Sequence, residues 1–288
     1  MYRIVIMSVL SLLTEYGMAV EPTLQNVEYA TVGSQRLLLD IYQPRKADSG
    51  GSPLLIWVHG GAWRAGSKDK VPVSRLLDHG FAIASVDYRL SPVAKFPAQV
   101  HDIKAATRFL RANGEDFRLD TNRFFIAGSS AGGHLAALVG VTNGLEKLEG
   151  SVGTHRNVSS DVHRIVSFYG ASNLQSILSQ STAFGLNVRV PALQLLLGDQ
   201  PEKQPELAEL ASPVAHVDKA DPPLLLIHGD EDPQMPIEQA YELRKAYANA
   251  KLPVQFEVVR GGKHGGNGFF EDEMIDRVAR YLHSGEWE

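Results

Sequence analysis

Short apolar runs and stretches of helical period alternate along most of this 288-residue chain. Residues 54–58 and 81–86 are continuous apolar runs, the pattern of strands covered on both faces. Residues 37–42 alternate toward strand, and 124–127, 165–169, 224–227 and 254–259 read as further strands. Between them, Val100, Ile103, Ala106, Thr107 and Leu110 recur at helical spacing in 100–110. Segments 131–141, 236–250 and 270–282 read as helices, with Pro236 near a first turn, where its missing N–H costs nothing. The alternation predicts an α/β fold: a mostly parallel central sheet with helices on both faces. In such sheets, ligand and catalytic groups gather beyond the carboxyl ends of the strands. Residues 171–220 break the rhythm, with weak periodicity and several turn residues, which predicts a small cap or none.

The most telling strand-to-helix junction is RFFIAGSSAGG, residues 123–133. Gly128-Ser129-Ser130-Ala131-Gly132 has the G-x-S-x-G form of a nucleophile elbow, in which a sharp turn pushes the serine hydroxyl out. Only Ser130 has glycine at distance two on both sides, which sets Ser129 aside. The helix beginning at Ala131 offers free N–H groups and a positive dipole end beneath the hydroxyl.

A serine hydroxyl needs a base within reach, and the base needs an orienting acid. Of ten histidines, His264 is the candidate base, in the glycine-rich loop GGKHGG after the last strand. It also satisfies the chain order Ser, Asp/Glu, His. The acid should lie between them, in LLLIHGDEDPQMP, residues 224–236. Asp232, before Pro233, is preferred over Asp230, because the turn after such a strand presents the later aspartate. The developing oxyanion needs N–H donors already in place. Ala131 supplies one, and the strand-to-loop segment LLIWVHGGAW, residues 54–63, supplies Gly61 and Ala62, where glycine permits close backbone approach. Trp63 then stands as a wall of the substrate pocket, with a core role as its rival reading. His59 and His228, at strand ends, read as hydrogen-bonded structural residues.

Composition narrows the rest. The net charge is −5 with no basic block, so nucleic acid is not an expected partner. The absence of cysteine removes a thiol nucleophile, disulfides and cysteine-ligated zinc. No H-E-x-x-H or paired-histidine spacing occurs, so no metal or other cofactor is expected. At the start, Arg3 precedes an apolar run over 4–13, and Gly17-Met18-Ala19 carries small residues. Residues 1–19 therefore read as a secretory signal peptide, with 20–288 as a single domain that is secreted or periplasmic. The run is too short to span a bilayer, so no stable membrane insertion is expected. Oligomeric state is not legible.

With these pieces in order, the chain resembles the α/β-hydrolase serine esterases. HGGAW, GSK (66–68), VDYRLSP (86–92), FPAQVHDIKAATRFLRAN (96–113), GSSAGGHLAAL (128–138), SP (212–213), PPLLLIHGDEDPQMP (222–236) and GGKHG (261–265) all occur in sequence. The set is similar to the branch of bifunctional feruloyl and acetyl xylan esterase-like proteins, near the hormone-sensitive-lipase-like esterases. It covers most of residues 24–284. The resemblance implies Ser130 as nucleophile, His264 as base, Asp232 as acid, no cofactor, and short-chain acyl esters of plant polysaccharides or small alcohols as substrates. Ala62 stands where the hormone-sensitive-lipase branch has a third glycine, and little chain precedes the first strands to build that branch's N-terminal cap. Long-chain lipid substrates are therefore not expected. HGG-x-W is shared with kynurenine formamidases, which keeps an arylformamidase as the alternative. A catalytically dead binding module is the third reading, disfavoured because Ser130, Asp232 and His264 are all present with their glycines.

Overall fold

A computed structural model describes residues 20–46 and 50–287. The leader read over residues 1–19 lies outside the described residues. Eight strands form one sheet: β1 (Leu24–Val32), β2 (Gln35–Tyr42), β3 (Ser52–Val58), β4 (Ala82–Val86), β5 (Leu119–Ser129), β6 (Ile165–Phe168), β7 (Leu224–Gly229) and β8 (Val254–Val259). Their spatial order is β1-β2-β4-β3-β5-β6-β7-β8. β2 is antiparallel to both β1 and β4, and every later pairing is parallel. This is the α/β-hydrolase arrangement that the alternation and the motifs predict.

The helices are α1 (Ala98–Ala112), α2 (Ala131–Gly140), α3 (Glu146–Glu149), α4 (Ile177–Gln180), α5 (Ala183–Leu197), α6 (Pro205–Leu210), α7 (Glu238–Ala250) and α8 (Asp272–Ser284). Strand periodicity of two splits the core between the sheet's faces. Leu54, Ile56 and Val58 of β3 join a cluster with α1, α2 and α7 side chains such as Ile103, Leu135 and Leu243. Leu55 and Trp57 turn the other way, toward Ile275, Val278 and Leu282 of α8. Every residue of β3 is buried, which explains its unbroken apolar run. Among the described residues no helix is long and apolar enough to cross a membrane.

Two elements depart from expectation. The sequence pattern does not predict β1: it pairs with β2 through two register irregularities, and Asn26 sits at φ 56°. Residues 171–220 hold the 15-residue helix α5 together with the short helices α4 and α6. α5 is apolar around most of its circumference and carries Gly185 and Pro191, so it shows no clean 3.6 period.

Candidate active site

The loops after β3, β5, β7 and β8 converge at one edge of the sheet and bring the predicted residues together. At the end of β5, Ser130 adopts φ 55°, ψ −119°, a conformation that costs an L-residue strain. Close packing enforces it. A Cβ on Gly132 would stand 2.0 Å from the Val58 carbonyl oxygen, and one on Gly128 2.3 Å from the Gly132 oxygen. The turn is pinned by the Ser130 N–H donating to the Phe168 carbonyl at 2.9 Å and the His134 N–H donating to the Ser130 carbonyl at 3.0 Å.

The hydroxyl so presented meets His264: Ser130 Oγ lies 2.7 Å from Nε2. His264 Nδ1 lies 2.7 Å from Asp232 Oδ2. With Nδ1–H donating to the carboxylate, Nε2 keeps a lone pair for the serine proton. Asp232 Oδ1 accepts from the N–H groups of Gln234 (2.8 Å) and Met235 (2.9 Å). Burial alone would raise the Asp232 pKa, but the neighbouring His228 ring and the hydrogen bond from His264 outweigh it and hold the carboxyl well below its usual range. Burial lowers the His264 pKa, opposed in part by Asp232, so the imidazole favours its neutral, proton-accepting form. Asp230, the rejected alternative, faces outward to Arg260 and the Gly261 N–H.

The loop after β3 lies against the elbow: a Cβ on Gly60 would approach the Ser129 oxygen to 2.8 Å. Gly61, Ala62 and Trp63 run through φ values of 113°, 52° and 58°. Among the described residues the Gly61 and Ala62 N–H groups have no protein acceptor, and Ala131 opens α2, where a helix leaves its N–H free. Among the described residues, all three predicted oxyanion donors are therefore N–H groups without a protein acceptor.

Trp63 corrects the expectation of a pocket wall. Its side chain is fully buried. Indole Nε1–H donates to His134 Nδ1 at 3.0 Å, and His134 Nε2 lies 2.7 Å from the Ala211 carbonyl. Burial holds His134 down at about 4, so it is neutral and can accept that bond. A tryptophan is the right size to anchor the loop, and its N–H needs a buried partner. His228 has the structural role expected, with Nε2–H donating to the Met235 carbonyl at 2.9 Å. His59 packs flat on Tyr88, with Nδ1 2.7 Å from the Gly60 carbonyl.

Sequence reasoning missed Tyr169 and Arg189. Tyr169, at φ 39°, packs its ring 4.8 Å from that of His264. Burial pushes its hydroxyl up to about 12, despite a hydrogen bond with Ser129. It lines a cleft of about 620 Å³ together with Gly60, Gly61, Ser129, Asp69 and Phe270. A larger groove of about 700 Å³ lies along β1 and residues 151–155, away from the predicted site. Tyr169 follows a strand directly, so its place was inferable; Arg189 gave no local signal.

The profile of the BD-FAE family matches residues 39–247. The chain belongs to the BD-FAE family. It is 32% identical to Esterase LipC of Mycobacterium tuberculosis over 234 residues, 79% of this chain and 56% of that protein. It is 27% identical to the isoprenylcysteine alpha-carbonyl methylesterase ICME of Arabidopsis thaliana, over 96% of this chain and 69% of that one. The chain thus spans about half the length of the mycobacterial relatives it matches. Among solved structures, a truncated carbohydrate esterase from gut microbiota superposes with a TM-score of 0.81 at 32% identity, covering 90% of this chain and 94% of that one. An acetyl ester-xyloside bifunctional hydrolase from Caldicellulosiruptor lactoaceticus shares the fold, with a TM-score of 0.74 at 24% identity over 93% and 98% of the two chains. The resemblance read from the motifs and this membership of the family agree.

Proposed function

We propose that this BD-FAE protein is a serine carboxylesterase for short acyl esters of carbohydrates or small alcohols. The observation that carries the reading is the unbroken hydrogen-bonded chain Ser130–His264–Asp232, with both links at 2.7 Å. Ser130 Oγ attacks the ester carbonyl while His264 Nε2 takes its proton. The N–H groups of Gly61, Ala62 and Ala131 stabilise the oxyanion. Collapse breaks the C–O bond, and the proton on His264 passes to the departing alcohol. Water, deprotonated by His264, then cleaves the acyl-enzyme and releases the acid. The carbohydrate choice draws on the similar gut-microbial carbohydrate esterase.

The test is acid release from 4-nitrophenyl acetate and from acetylated xylo-oligosaccharides by residues 20–288 and by its Ser130→Ala variant. Release by the wild type alone supports the mechanism. Cleavage of the aryl acetate with the saccharide untouched keeps the mechanism and removes the carbohydrate. Release that survives in Ser130→Ala overturns both. We further propose export through the 1–19 leader. Expression in a bacterial host with its own signal peptidase, followed by N-terminal sequencing, should then find a mature chain starting at Val20.

A further inference from the structure

Arg189 lies on α5 with its side chain fully buried. Its Nε makes one long bond to the Gln234 carbonyl, 3.4 Å, while Nη1 and Nη2 find no acceptor. The guanidinium carbon lies 5.9 Å from the centre of the Trp63 ring. The group therefore stands between two of the loops that bear the site: Trp63 follows the predicted oxyanion donors Gly61 and Ala62, and Gln234 closes the turn around Asp232. Burial lowers its pKa to about 10, aided by Arg64 and opposed by Asp232, so it stays charged at neutral pH. His264 and His134 both feel that charge.

A buried cation is costly to leave unpaired. The carboxylate whose charge it feels, Asp232, has its oxygens engaged by Gln234, Met235 and His264. We propose that Arg189 is a receptor for an anionic group on the substrate, a carboxylate or similar oxygen acid, so that the site selects acidic esters over neutral ones. The inference rests on Ser130 acting as an esterase nucleophile. The planar guanidinium offers two parallel N–H bonds that match a carboxylate, and the charge of exposed Arg64, one residue past Trp63, reaches the same group. Nη1 and Nη2 have no free surface, so the arriving anion must part α5 from the loops beneath. Pro191 removes one internal hydrogen bond from that helix, and Phe184, Val190 and Leu195 face solvent rather than the sheet.

The test compares matched esters. 4-Nitrophenyl hemiglutarate against 4-nitrophenyl valerate places charge on the acyl half, and 4-acetoxybenzoate against 4-acetoxybenzamide places it on the alcohol half. For the wild type, kcat/KM should favour the charged member of one pair by at least about tenfold. Arg189→Met should collapse that ratio, and Arg189→Lys should retain part of it. A wild type that cleaves the neutral esters without charge preference overturns the receptor and leaves the esterase standing. A loss in Arg189→Met that is equal for both members of each pair does the same, and marks Arg189 as a structural clamp. Failure of the wild type on every ester overturns the esterase reading itself. Should Arg189→Met not fold, inhibition of the wild type by glutarate against uncharged glutaramide decides: stronger inhibition by the anion supports the receptor, and equal inhibition overturns it.

Discussion

The two halves of the candidate site are held in place by different forces. On the Ser130 side, excluded volume does the positioning: Gly128, Gly132 and Gly60 let backbone pass against backbone where any side chain would collide. On the Asp232–His264 side, charge and hydrogen bonds do it, through two backbone N–H donors to Oδ1 and the imidazole on Oδ2. The difference teaches where each half should fail. Steric positioning is all-or-none and should break with the fold. Electrostatic positioning should degrade by steps while the fold survives.

Gly132→Ala attacks the steric half and should have the largest effect. The new Cβ would meet the Val58 carbonyl at 2.0 Å and the His59 carbonyl at 2.6 Å, both backbone atoms that cannot swing away. A loss above about 4 kcal/mol is expected, with little soluble protein. Denaturant melting checks this, and a variant of near wild-type stability would show that the elbow is looser than its contacts imply.

Asp232→Asn attacks the electrostatic half. The amide keeps the shape but presents the wrong partner to one of its neighbours, so His264 loses its tautomer control. kcat should fall about 10³–10⁴-fold, with a loss of stability smaller than that of Gly132→Ala. A drop in stability comparable to that of Gly132→Ala would erase the contrast between the two halves.

The same contrast separates what was legible in the sequence from what was not. Steric demands leave local marks: glycines around Ser130 and in HGGAW can be read without knowing any neighbour. β8 over Val254–Val259 and the buried run of β3 carry equally local patterns. Asp232 and His264 were legible through their strand-end loops and chain order. β1 was hidden because an edge strand with register irregularities and an exposed face breaks the period of two. α5 was hidden because Gly185, Pro191 and an apolar outer face erase the helical stripe. The anchoring role of Trp63 is not legible locally because its partner His134 lies 71 residues away, a contact that only the fold creates.

The pH profile sharpens the comparison on His264 alone. Burial disfavours the imidazolium, and the Asp232 carboxylate only partly restores it, so the folded pKa lies below the ordinary value of 6.5. The base is then competent at and above neutral pH and becomes protonated only as pH falls past that lowered pKa. kcat/KM should therefore decline toward acid with a midpoint below the ordinary 6.5, approaching tenfold per pH unit beneath that midpoint. A midpoint above 6.5 would mean that Asp232 wins over burial, and the charge balance given for this half would be reversed.

Trp63→Phe should have the smallest effect and tests whether the halves are joined. Phenylalanine fills most of the same space but leaves His134 Nδ1 without its donor in a fully buried position. Losing one buried hydrogen bond predicts about 1–3 kcal/mol of destabilisation. Because Trp63 directly follows the proposed oxyanion donors, the loop should also loosen, lowering kcat more than it raises KM. Asp232 and His264 are held by separate bonds, so the pH midpoint should not move. A shifted midpoint in this variant would show that the indole's anchoring reaches the imidazole, and that the steric and electrostatic halves of the site are mechanically one.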